Sequence, residues 1–381
     1  TSMTPSTLVR KVLDSYADNG AIRTIGAVAG FCGRTIEERC EWLAQIREWD
    51  RGKGYPLRLR LRAARLGLSA HSYLWLGLDG KDPDAYLKSV DPLAELNWRH
   101  IEPINNKYTF QLLTDPYVDC LPALFGVIDG GEFTTWLGPT PDGGIVDLLN
   151  RRGALVLKPK LGGQGDGIYV VRQRGEGAFD VNGRRVDRAA IEDMVADFDD
   201  YLVTEYVHQH PYAASIFPDA TNTLRIFSVV DPDTDAPRVL RATHRFGSAA
   251  SAPTDNWSRG GYAAPVDLET GTIERLILLD DPPRKRQDRH PETGSQVAGV
   301  TVPHWDEVGE LVRELATLHR EAPLVGWDVV VTADGPVLIE ANARPGKELL
   351  QPEGGVFEDE SVRRLLDPGG TKQGPESATE G

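Results

Sequence analysis

The chain has 381 residues and a formal net charge of −15, with 57 acidic side chains against 42 basic ones. With 40% hydrophobic and 26% charged residues it is neither a disordered chain, a collagen nor a coiled coil, and it can bury a core for two to three units of roughly 100–200 residues each. The acidity argues against nucleic acid as a main partner, because duplex binders present a basic face. No run approaches the ~18 consecutive apolar residues that a membrane helix needs.

Cys32, Cys40 and Cys120 form no CxxC pair. An odd, scattered set makes a disulfide framework or a zinc site improbable and fits a reducing cytoplasm. Thr1 and Ser2 ahead of Met3 read as a non-native overhang, and no signal peptide is expected. Leu8, Val9, Val12, Leu13 and Tyr16 have helical spacing, and Thr35 with Glu38 makes a capping box for a helix to about Trp49. Arg58, Arg60, Arg62 and Arg65 alternate with leucines over 57–68. They are read as the solvated face of a helix, the alternative being an anchor for an anion. The expected organisation is a helical N-terminal region over 1–70 and, over 71–204, a lead-in segment with a first lobe. A second lobe follows over 205–355, then a mostly disordered tail over 356–381.

From about residue 71 the pattern changes. A short apolar run at 73–78 is followed by a helix expected over 105–114. Strand-like runs then occur at 124–128, 154–157, 167–171, 201–207, 224–230, 239–243, 326–331 and 337–340, with helical patterns at 188–198 and 305–320. This is an α+β chain with mostly antiparallel sheets.

Two segments carry chemistry. In the first, a strand delivers Lys158 to a loop containing Gly162, Gly163, Gly165 and Gly167, and a second strand follows. Glycines let backbone N–H groups approach phosphate oxygens. A Walker loop or a Rossmann fingerprint would need a helix next. A flap over a nucleotide remains, with a plain glycine hairpin as the alternative. The second segment is a hairpin over 326–346. Glu340 and Asn342 are two residues apart on a strand and so share a face. A three-residue turn at 333–335, with Gly335 left-handed, would pair Asp328 with Glu340. Two carboxylates and an amide oxygen suit Mg²⁺ bridging phosphates, and an unpartnered acid in such apolar strands would be costly. Neutralising either acid is expected to relieve like-charge repulsion and leave stability unchanged or higher.

By these segments the chain resembles the ATP-grasp superfamily, and within it the sugar-transfer-associated and glutamate-ligase-like branches. The likeness runs through 157–167, 203–207, 222–226, 255–261, 266–271, 290–294 and 326–346, in family order, within about 100–351. The resemblance implies an ATP-grasp fold, with two lobes of antiparallel sheet clasping ATP and one or two Mg²⁺ ions. It implies that Lys107 and Lys158 contact the nucleotide, that Gly162, Gly163 and Gly165 form the flap, and that Glu205, Tyr206 and Val207 form the adenine-reading hinge. His210 stands within ribose reach. Arg225, Arg241, Asn256 and Arg344 would hold phosphate or acceptor, and Asp328, Glu340 and Asn342 the metal. The implied reaction couples a small-molecule carboxylate to an amine through an acyl phosphate, in a cytoplasmic protein for which a homodimer is allowed. The rivals are a small-molecule kinase on the same fold and a non-catalytic binding module. Residues 1–100 match no family pattern, so the substrate is open.

Overall fold

The computed structural model describes residues 54–163, 165–175, 177–278 and 285–366, and the helices expected at 7–18 and 35–49 lie outside them. The chain forms two compact units. The described residues of the first are 54–89, Lys285 and 352–355, and the second holds the rest of the described chain.

In the first unit, α1 (Leu57–Arg65) buries Ala63 and Ala64 and exposes Arg58, Arg62 and Arg65, with Arg62 ion-paired to Asp79. The arginine row is therefore largely a solvated face. Replacing Arg58, Arg60, Arg62 and Arg65 together by Gln is expected to leave turnover with small substrates within a few-fold, since exposed pairs are worth ~0–1 kcal/mol. A loss of about a hundredfold in a steady-state assay, far beyond ordinary surface substitutions, would instead mark the row as a binding surface. The apolar run that follows falls mostly in α2 (Ala70–Leu76). Ser69 caps it by accepting a hydrogen bond from Ser72 N at 3.0 Å, and Gly77 closes it at φ 61°. Tyr73, Leu74, Trp75 and Leu76 are all buried. A short helix apolar on every side has no periodicity to distinguish it from a buried strand.

In the second unit, α3 (Asp91–Leu96), α4 (Ile101–Asn105) and α5 (Lys107–Thr114) precede the sheets. Asn106 caps α5 by accepting from Tyr108 N and Thr109 N at 3.1 and 3.2 Å, which fixes Lys107 as its first residue.

The first sheet contains β1 (Leu124–Asp129), β2 (Glu132–Thr135), β3 (Ala154–Pro159), β4 (Tyr169–Gly175), β5 (Ala178–Val181), β6 (Arg184–Val186) and β7 (Tyr201–Glu205), in the order β2-β1-β7-β3-β4-β5-β6. Helices α6 (Gly144–Arg152) and α7 (Arg188–Ala196) bury Ile145, Leu149, Ile191 and Val195 in the core beneath it. Each such side chain contributes about 1.5–3 kcal/mol on leaving water. The β5–β6 hairpin turns on Asn182 and Gly183 at φ 49° and 84°, the conformation that an Asn-Gly pair favours. The pair is a hairpin signal present in the sequence itself, between two strands too short to stand out by alternation.

Short helix α8 (Pro211–Ile216) leads to the second sheet. Its strands are β8 (Leu224–Val230), β9 (Pro237–Phe246), β10 (Tyr262–Pro265), β11 (Leu276–Leu278), β12 (Lys285–Gln287), β13 (Leu324–Thr332) and β14 (Gly335–Asn342), in the order β12-β11-β10-β9-β8-β13-β14. The pairings recorded in both sheets are antiparallel. Helix α9 (Trp305–Leu318) covers the second sheet with Val308, Leu311, Val312 and Leu315, the i, i+3, i+4, i+7 stripe of an amphipathic helix. Beyond α10 (Lys347–Leu350), residues 356–366 are folded rather than part of a tail. They carry α11 (Glu360–Leu366), which buries Val362, and Asp359, which ion-pairs with Arg238 at 2.6 Å.

The hairpin that orients the carboxylates reaches the anticipated pairing by a different route. Thr332 pairs with Gly335, so the turn has two residues, Ala333 and Asp334, and Gly335 opens β14 at φ 127°. Carried on without interruption, that register would set Asp328 against Ile339. A bulge between Asp328 and Val329 leaves Ile339 unpaired and moves Asp328 opposite Glu340.

Candidate active site

A cleft of about 440 Å³ opens in the second unit between the faces of the two sheets. From the first sheet it takes Lys158 at the end of β3, the glycine loop, and residues 204–207 at the end of β7. From the second it takes Arg225 on β8, Arg245 on β9, Asp328 on β13 and Glu340 on β14. Five cations and five carboxylates line it, so in a chain of charge −15 this is a locally balanced surface that an anion can enter.

The flap side is fixed by backbone contacts. Lys107 N donates to Lys160 O at 2.9 Å, and Lys107 Nζ donates to Gly162 O at 2.9 Å, which ties α5 to the loop. Lys107 Nζ also lies 3.4 Å from Glu340 Oε1. Gly165 has φ 74°, and a Cβ there would sit 2.9 Å from Thr254 Oγ1, so the loop passes too close to the opposite lobe for any larger residue. Lys158 is 6% exposed, and among the described residues its Nζ has only a long 3.5 Å contact to Ile339 O. Burial, and then the Lys107 charge, lower its pKa to about 8, against the opposing pull of Glu340. A buried ammonium this poorly partnered is placed for an anionic ligand.

At the segment expected to form the hinge, Glu205 ends β7 and accepts a hydrogen bond from Ala123 N at 3.2 Å. Tyr206 and Val207 run on past the sheet, and Arg172 lies over the Tyr206 ring while donating to its hydroxyl at 2.9 Å.

Asp328, Glu340 and Asn342, the residues expected to hold metal, line the cleft, but Asp328 is occupied by side chains. It accepts from Arg225 Nη2 at 2.9 Å and from Arg225 Nε, and Arg245 Nη2 lies 3.1 Å away. Burial alone would push this carboxyl up, but the charges of Arg225 and Arg245 outweigh it and hold it below the usual carboxylate range. Gly326 makes room for this arrangement, because a Cβ there would lie 2.8 Å from Pro345 Cβ and 3.3 Å from Arg225 Cδ. Among the described residues no group of three His, Cys, Asp or Glu converges as a metal cage, and the candidate set is two carboxylates plus an amide. That set nonetheless fits Mg²⁺. Its donors are hard oxygens, and Asp328 and Glu340 stand opposite each other on paired strands.

Most residues implied by the resemblance gather here. Lys107, Lys158, Gly163, Gly165, Glu205, Tyr206, Val207, Arg225, Asn256, Asp328, Glu340, Asn342 and Arg344 line the cleft, and Gly162 borders it through the Lys107 bond. Two do not. His210 caps α8, its Nδ1 accepting from Tyr212 N at 3.1 Å. A His-Pro junction is a helix start before it is a ligand. Arg241 lies on β9 opposite Phe227, four residues from Arg245. It is on the correct face but about 13 Å along the strand at ~3.3 Å per residue. The sequence did not point to Arg245, Asp255, Thr223 or Glu348, all of which line the cleft. Only the alternation of β9 hinted at Arg245, and it did not say which end of the strand reaches the site.

Among curated proteins, no sequence matches this chain. Solved structures with a related course of chain include N5-carboxyaminoimidazole ribonucleotide synthetase from Thermotoga maritima (TM-score 0.38, 10% identity, 70% of this chain and 49% of that one). Two more are D-alanyl-alanine synthetase A from Vibrio cholerae O1 biovar eltor (0.39, 12%, 69% and 64%) and an L-amino acid ligase from Bacillus licheniformis (0.36, 12%, 70% and 48%). This chain spans about half to just under two thirds of their lengths. Members of the ATP-grasp superfamily are ATP-dependent enzymes, mostly ligases, and typically use Mg²⁺. The family model for sugar-transfer associated ATP-grasp proteins matches residues 95–362, which include both sheets and every cleft residue named here, and the chain belongs to that family.

Proposed function

We propose that the chain is an ATP-dependent ligase that activates a small-molecule carboxylate as an acyl phosphate, couples it to an amine, and releases ADP and phosphate, acting in the cytoplasm. The substrate carboxylate attacks the γ-phosphorus and ADP leaves. The amine then attacks the acyl carbon and phosphate leaves, with the amine proton passing to phosphate or solvent. Lys107, Lys158 and Arg225 are assigned to the triphosphate, the backbone at Glu205–Val207 to the base, and Asn256 and Arg344 to the phosphate-and-acceptor end. Asp328, Glu340 and Asn342 would hold Mg²⁺, which when bound neutralises phosphate charge.

The observation that carries the choice of ligase is that the cleft offers no spare base. Asp255 and Asp328 are paired with arginines, Glu340 with Lys107 and Glu348 with Lys347, and Glu205 is held by a backbone N–H. Among the described residues no histidine lines the cleft. A hydroxyl acceptor must shed a proton as it attacks, usually to a positioned carboxylate. A carboxylate nucleophile arrives already ionised.

A panel of organic acids and amines incubated with ATP tests this. The expected result is equal ADP and inorganic phosphate, released only when both an acid and an amine are present. Phosphate retained on a hydroxyl product would replace the ligase with a kinase.

A further inference from the structure

Two segments singled out in the sequence, 222–226 and 255–261, are only partly explained by the assignments to Arg225 and Asn256. The structure joins them through Thr223 and Asp255, which flank one guanidinium. Asp255 is 4% exposed, and its Oδ2 accepts from Thr223 N and Thr223 Oγ1, both at 2.6 Å. Its Oδ1 faces Arg245 Nη2 at 3.3 Å. Thr223 Oγ1 in turn accepts from Arg245 Nε at 3.0 Å and from its Nη2. Thr223, Asp255 and Arg245 thus form a closed ring on the cleft wall, two sides hydrogen-bonded and the third an ion pair. The backbone of the strands holds the same corner, with Arg245 N donating to Thr223 O at 2.8 Å.

The charges show what the ring is for. Asp328 already has a two-pronged partner in Arg225. Arg245 is therefore a second cation on that carboxylate, brought with its own counter-charge, Asp255. Burial pushes the Asp255 carboxyl up, yet its partners in the ring are all donors, the geometry of an ionised acceptor. With its oxygens engaged in this way, Asp255 is placed neither to take a substrate proton nor to ligate a metal. What it does is aim a guanidinium. An arginine side chain costs about 2 kcal/mol of rotamer freedom to immobilise, and here that ordering is done before a ligand arrives.

We propose that Asp255 and Thr223 are positioning residues that hold Arg245 at the polyphosphate end of the cleft, so that it meets the β- and γ-phosphates. This rests on the reading of the cleft as an ATP site. Once the triphosphate is present, Arg245 offers Nη1 to phosphate oxygen while the ring keeps Nε and Nη2 in place.

The test uses the full chain and calorimetric titration with ATP plus Mg²⁺ and, separately, with AMP, which lacks those two phosphates. Arg245→Gln should weaken ATP binding by about tenfold or more, and Asp255→Asn and Thr223→Val by about three- to tenfold each, the range for removing or misaiming a single charge-assisted hydrogen bond. Thr223→Ser keeps the hydroxyl and should restore affinity. AMP affinity should stay unchanged in every variant. If Asp255 acts only through Arg245, then Asp255→Asn in the Arg245→Gln background should add less than about twofold. Equal weakening of AMP and ATP, full additivity, or ATP binding indifferent to both Asp255→Asn and Thr223→Val would each overturn the inference while leaving the nucleotide site standing. A wild-type chain that binds no ATP would remove both. Should Asp255→Asn fail to fold, Thr223→Val, which leaves both charges in place, carries the same comparison against AMP.

Discussion

Glu340→Gln is expected to lower turnover of ATP by roughly a hundredfold or more while the chain stays folded, because removing one fixed charge from a phosphoryl-transfer site typically costs that much. Glu340 is only half-buried and its one cationic contact is Lys107 at 3.4 Å, so the amide should be tolerated structurally. Its place opposite Asp328 and on the face of Asn342 is what makes it a metal ligand in this reading. The direct check is Mn²⁺ bound in the presence of a non-hydrolysable ATP analogue, followed by electron paramagnetic resonance. Wild type should bind the ion and Glu340→Gln should not. Retained Mn²⁺ binding with retained turnover would remove Glu340 from the site. Asp328→Asn should be equally damaging to turnover, but for stability the structure reverses the expectation from sequence. Asp328 is 5% exposed and pairs with two arginines, so neutralising it strands buried cations, and the melting temperature should fall rather than rise. Breaking a buried pair from one side costs up to about 3–5 kcal/mol. A thermal melt of both variants separates the cases, with Glu340→Gln near wild type and Asp328→Asn clearly below it.

Lys158→Ala is expected to weaken ATP binding by at least about tenfold and to lower turnover, with the fold intact, since a charge-assisted bond to phosphate is worth ~1.5–3 kcal/mol. The lysine is buried at the end of β3, has among the described residues only a 3.5 Å contact to Ile339 O, and has its pKa lowered to about 8 by burial. Such a group is held at a cost that a polyphosphate would repay. Removing it relieves that cost, so stability should hold or rise slightly, whereas nucleotide affinity should drop. Unchanged ATP affinity by calorimetry would contradict its assignment to phosphate, and the flap would then be only a glycine hairpin.

Local chemistry made much of this protein legible in its sequence. Short strand-like runs marked β1, β3, β4, β7, β8, β9, β13 and β14. The Asn106 cap placed Lys107, and the strand, Lys158 and glycine loop together announced the phosphate side. The period of two put Glu340 and Asn342 on one face, which no long-range contact could change. Other features were settled only by partners distant in sequence. The apolar run at 73–78 carried no assignment, because a short helix buried on all sides loses its period. Asp328 meets Glu340 through a bulge at Ile339, and a bulge depends on how two strands accommodate their neighbours. Arg241 and Arg245 share a strand and a face, so alternation treats them alike. Which of them enters the cleft is decided by the stagger of β9 against β8 and by Thr223 and Asp255, residues 22 and 10 positions away in the chain. The sequence by itself determined the chemistry available on each strand face. Only the tertiary structure decided the register, and with it which charges meet, because register is fixed by pairings and loop closures that no local window of sequence contains.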